Sequence, residues 1–164
     1  MPIDPVILLV EELRSVELAL SKATQTYRRT SQREDGEVIN LLLAKLKRLF
    51  GELFETMPTS SGGAAELVDI AAQRLPFAYA RFAAHLHNVA DRLSQGRRDH
   101  SDLVWLRAMQ AALLEGLCAD EGRKMAPLLD LAIRGAARPI MIFRTTLNAP
   151  RPAPWKNVLM AHPV

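Results

Sequence analysis

The chain has a single cysteine, Cys118, among 164 residues. No intrachain disulfide can form, and a reducing compartment is the simpler setting. Aromatic residues make up only 5% of the chain, so the core must come mainly from Leu, Ala, Ile and Val. Val, Ile and Thr are sparse against Leu and Ala, which disfavours a sheet. Long apolar runs are lacking too. The longest near the start, residues 6–10, falls far short of the ~20 residues that a membrane span needs. The opening residues carry Asp4, Glu11 and Glu12, with no basic region and no small-residue cleavage site, so they do not read as a secretory signal. A cytoplasmic protein is expected.

Signatures of chemistry are lacking as well. There is no Glu-x-x-His pair of the kind that builds a two-metal site in a helical bundle, and no Gly-x-x-x-x-Gly-Lys-Ser/Thr phosphate loop. His85 and His87 are two residues apart and point to opposite sides of a helix, which does not suit a shared metal. Cys118 has Arg123 and Lys124 nearby in sequence but no histidine to act as a base, so it reads as a small core residue. No catalytic residue, metal ligand or cofactor is assigned.

What is present is helical periodicity. Asp4-Pro5 is a start signal, because Asp can cap free N–H groups and Pro fits the first helical position. Val6, Leu9, Leu13, Val16, Leu20, Ala23 and Tyr27 follow at alternating steps of 3 and 4, which draws one heptad seam. Residues 28–36 are polar and read as a turn; the alternative is one unbroken helix through residue 57. Residues 38–57 are apolar over most of the helix circumference. The polar positions Lys45, Arg48, Glu52 and Glu55 recur at steps of 3, 4 and 3 and leave a narrow stripe. Such a helix calls for neighbours on several sides, so it is expected to be the central one.

Met57-Pro58 followed by Thr59, Ser60, Ser61, Gly62 and Gly63 is the clearest linker. Its Ser-Ser-Gly-Gly run can also bend around an anion at the start of the next helix. The seam then resumes through Ala64, Leu67, Ala71 and Leu75 to Leu93, with Pro76 expected to kink the helix. Further helices are expected over 102–118, with His100, Ser101 or Asp102 as cap, and over 123–147, with Pro127 in the first turn. Together these patterns predict an all-α, antiparallel bundle of four to six helices. A long N-terminal hairpin, about 5–57, packs with kinked helices 64–94, 102–118 and 123–147. Residues 1–148 form one domain, and 149–164 form a Pro-rich basic tail.

Net charge is +3, but residues 131–164 hold five basic residues and no acidic one. Arg134, Arg138, Arg144, Arg151 and Lys156 are therefore the candidate basic surface. The passage MPTSSGGAAELVDIAAQRL, residues 57–75, resembles a segment of short helical alphaproteobacterial proteins of unknown function, with a Pro-Thr turn and Gly before an Ala/Leu-rich helix. The resemblance implies a bacterial, helical protein and transfers no site. The functional expectation is a non-enzymatic interaction or regulatory protein that contacts a protein partner or itself as a homo-oligomer. The alternatives are a binder of nucleic acid or an anionic surface through the basic segment, and a small-ligand-binding bundle or enzyme. For the last, Tyr79, Arg81 or His85 would face Arg107 or Glu115.

Overall fold

The computed structural model describes residues 3–76, 79–115 and 120–138. Among them are six α-helices and no strand: α1 Pro5–Thr30, α2 Arg33–Glu55, α3 Ser61–Gln73, α4 Ala80–Ser94, α5 His100–Leu114 and α6 Asp120–Ala137. The protein is an all-α helical bundle. Helices α1 and α2 form the long N-terminal hairpin, and α3 packs on α1, α4 and α6. Helix α5 packs on α6, which also reaches α2. No helix of the described residues is long and apolar enough to cross a membrane.

The centre of the bundle is α3, not α2. Gly63, Ala64, Ala65, Leu67, Val68, Ile70, Ala71 and Ala72 are all buried, eight of the 13 residues of α3. Small side chains let neighbouring backbones come close on several sides. Only Leu49 and Leu53 of α2 are buried, and its wide apolar arc leaves Val38, Leu41 and Leu43 exposed. The central role expected for residues 38–57 is therefore corrected. A broad apolar arc tells how much surface could be covered, but not whether the fold covers it.

The turn expected within 28–36 is shorter than that stretch. It comes down to Ser31 and Gln32, with Ser31 in the left-handed region at φ 52° and its N–H donating to the Tyr27 carbonyl at 2.8 Å. Pro76 does more than kink a helix over 64–94. It lies in the break between α3 and α4, which pack against each other as separate helices. The missing proline N–H and the barrier to helical geometry at Leu75 end α3. Asp99, not a residue of 100–102, caps α5 by accepting from the Ser101 N–H at 3.0 Å. Because α6 starts at Asp120, Pro127 sits inside the helix and not in its first turn. Cys118, the segment 139–147 and the tail 149–164 lie outside the described residues.

Two buried carboxylates pin the bundle. Asp4 Oδ1 caps α1 by accepting from Val6 N–H at 2.9 Å. Its Oδ2 accepts from Thr59 N–H at 2.8 Å, Ser60 N–H at 2.6 Å and Ser60 Oγ at 2.6 Å. The Ser60 hydroxyl in turn accepts from Gly63 N–H at 3.0 Å and caps α3. The anion at the Ser-Ser-Gly-Gly run is thus the chain's own Asp4. Gly63 is required there, because a Cβ would collide with the Asp4 carboxylate. The second pin is Asp102 of α5, which accepts from Arg92 Nε at 2.7 Å and Nη2 at 2.6 Å. This forked, charge-assisted pair spans the α4–α5 turn and raises the Arg92 guanidinium pKa further. A glycine notch joins α6 to the linker: Gly135 lies so close to Pro58 that a Cβ would overlap its ring.

Candidate docking surface on the N-terminal hairpin

The length of the hairpin decides what it exposes. At 1.5 Å per residue, the 26-residue α1 is about 39 Å long, against about 20 Å for the 13-residue α3. Helix α3 therefore covers only one half of α1. Along the α1 seam, Val6, Leu13 and Val16 are buried and Leu9 is half-buried, with Val10 buried beside it. Farther on, Leu20 and Ala23 are half-buried and Tyr27 is 41% exposed. Helix α2 mirrors this in reverse. Leu49 and Leu53, near the base, are sealed, whereas Val38, Leu41 and Leu43 near the tip are 48%, 72% and 46% exposed. Gly36 lies beside Tyr27, where its Cβ would be 3.6 Å from the ring, so the tip is closed by contacts within the hairpin.

Two apolar faces of α2 stand outside the sealed core, one exposed and the other only partly covered, where Leu46, Phe50 and Phe54 pack against the core edge. Val38 and Leu41 are three apart and share one. Leu43, Leu46, Phe50 and Phe54 step by 3, 4 and 4 and share the other. The second face runs down into a groove of about 540 Å³ lined by Phe50, Phe54, Arg74, Lys124, Met125 and Pro127. The Phe50 and Phe54 rings lie 6.4 Å apart, and the Arg74 guanidinium carbon sits 4.7 Å above the centre of Phe50. Arg74 also donates to Glu17 at 2.6 Å. Among the described residues that line the groove none is acidic, although Glu17 pairs with Arg74 at the rim, and Lys124 has no ion pair among the described residues. The floor is apolar and the rim is cationic. Sequence reasoning missed this groove because its walls come from α2, α3 and α6, far apart along the chain.

The residues singled out from sequence are scattered. Arg134 is bound to Asp130 at 2.6 Å, one turn back on α6. Arg138 is exposed, and its carbonyl accepts from Arg98 Nη1 at 2.7 Å, which caps the end of α6. Arg144, Arg151 and Lys156 lie outside the described residues. His85 stacks on Trp105 with ring centres 4.0 Å apart, while His87 Nδ1 lies 2.7 Å from Asp69 Oδ1 on α3. The two histidines thus serve different neighbours. Arg81, Arg107 and Glu115 are exposed and do not converge with His85, while Tyr79 pairs with Phe82 at 6.2 Å between ring centres. Among the described residues, no three His, Cys, Asp or Glu side chains come together as a metal site. The polar clusters that do form, around Asp4, Asp102 and Asp69, join helices to one another. No family model, no curated protein and no solved structure matches the chain.

Proposed function

We propose that the protein is a non-enzymatic interaction module that self-associates through the tip of its N-terminal hairpin. The reading rests on one observation: the apolar pattern of the hairpin continues past the point where the bundle covers it, leaving Val38, Leu41 and Leu43 exposed. Isolated exposed apolar residues are ordinary, but Val38 and Leu41 share one uncovered face of a projecting element, with Leu43 exposed on the other side, and such a face is of the kind that marks interfaces. Two hairpin tips related by a two-fold axis would give a four-helix arrangement, with the half-buried Leu20, Ala23, Ile39 and Leu42 beneath the contact. Acidic and basic residues on the hairpin, including the Glu12–Lys45 pair at 2.8 Å, keep the two helices in register.

Light scattering and sedimentation on the full chain at micromolar concentration test the reading. A dimer is expected, and Leu41→Glu combined with Val38→Lys should convert it to monomer without loss of helicity. A wild-type protein that stays monomeric throughout that range refutes it. The alternative basic surface has less support: of its five residues only Arg134 and Arg138 are described, Arg134 pairs with Asp130, and no observation gathers the two into one patch.

A further inference from the structure

Beyond self-association at the hairpin tip, we propose that the groove at the hairpin base binds a single-chain anionic amphiphile, an aliphatic chain ending in a carboxylate. Its volume, about 540 Å³, lies inside the roughly 300–1,000 Å³ range of small-molecule sites. Four of its six described lining residues, Phe50, Phe54, Met125 and Pro127, offer carbon or sulfur surface. Methionine adapts its shape to an irregular, flexible chain. The other two, Arg74 and Lys124, are cations, so the complementary ligand is apolar along its length and negative at one end.

The two cations differ in a way that fixes roles. The Arg74 guanidinium is held in place by Glu17 on one side and the Phe50 ring below. A guanidinium carries five N–H donors, and the bond to Glu17 uses one nitrogen of the fork. Lys124 is exposed, is without an ion pair among the described residues, and stands on α6 beside Met125. A carboxylate between them gains charge-assisted hydrogen bonds while its chain lies on Phe50 and Phe54. A neutral amphiphile would gain the apolar contact alone. A doubly charged or wholly polar anion would leave the floor uncovered.

Calorimetry with dodecanoate, below the concentration at which it forms micelles, tests the proposal on the full-length protein. Saturable binding at one site per chain is expected, at least about tenfold tighter than for the neutral alcohol dodecanol. Lys124→Glu, an exposed substitution that leaves the core intact, should weaken dodecanoate binding about tenfold or more and leave dodecanol unchanged. Phe54→Ser should weaken both. The tip variant Leu41→Glu should dissociate the dimer yet keep the dodecanoate affinity, which separates this site from the self-association reading. Equal binding of dodecanoate and dodecanol overturns the proposal, as does Lys124→Glu binding dodecanoate like wild type. Loss of binding in Leu41→Glu also overturns it, because the site would then not belong to one copy. So does a protein that ignores dodecanoate and takes up only an acidic helical peptide.

Discussion

The two halves of the N-terminal hairpin carry the same kind of sequence and meet opposite fates. Near the base, Val6, Val10, Leu13, Val16, Leu49 and Leu53 are sealed beneath α3 and α6. Near the tip, residues of the same kinds are only half-buried, as at Leu20 and Ala23, or exposed, as at Val38, Leu41 and Leu43. The difference is reach: α3 stops after 13 residues, and nothing among the described residues takes over beyond it. An apolar face without an intramolecular cover is a statement about binding, whereas the same face under cover is a statement about stability.

Mutations that remove the same group from each half sharpen this contrast. Leu53→Ala at the base should cost roughly 2–5 kcal/mol in urea unfolding, because it opens a cavity in a sealed core. Asp4→Ala should cost about 2–3 kcal/mol by leaving the Thr59 and Ser60 donors unpaired at a buried site. Asp102→Ala should cost about 1–3 kcal/mol, since the Arg92 it abandons is partly solvated. Leu41→Ala at the tip should stay within about 0.5 kcal/mol, measured at a concentration where the chain is monomeric. If Leu41→Ala costs as much as Leu53→Ala there, the tip is covered after all and the contrast collapses.

Acid should act on two exposed carboxylates, one on the hairpin and one outside it, with a smaller effect. Lys45 bonds to Glu12 and holds its carboxyl below the ordinary 4.5, and the Ser101 amide holds Asp99 below 3.8. A carboxylate whose pKa is lowered by folding stabilises the fold above its ordinary value, and that contribution is lost as pH falls through the lowered one. Both groups are exposed, so the expected effect is small and confined to pH below about 4.5. Side-chain NMR titration of Lys45→Ala should return Glu12 toward its ordinary value and leave Asp99 unmoved.

The sequence shows the helices more clearly than their neighbours. Asp4-Pro5 marks the start of α1, and the seam of α1 is packed as far as Val16 and opens beyond it. Periodicity cannot show where a covering helix ends, so the apolar arc of α2 was taken for a central position. The Asp4 cap and the anion site at Ser60–Gly63 were each visible, but not that one satisfies the other across 56 residues. Asp102 looked like a cap because Asp favours helix starts. Only the fold brings Arg92 to it across the α4–α5 turn. The groove has no sequence signal at all, since no local pattern joins Phe50 and Phe54 to Met125 and Pro127.

The tie between Asp4 and the residues 55 and 56 positions later also orders events during synthesis. Asp4 leaves the ribosome well before its partners at 59 and 60, which emerge only after both helices of the hairpin. The nascent hairpin must zip by local contacts before its end can be fastened, and it must then wait for α3 and α6 to be translated. For that interval the face that α3 and α6 later seal has no cover beyond the hairpin itself.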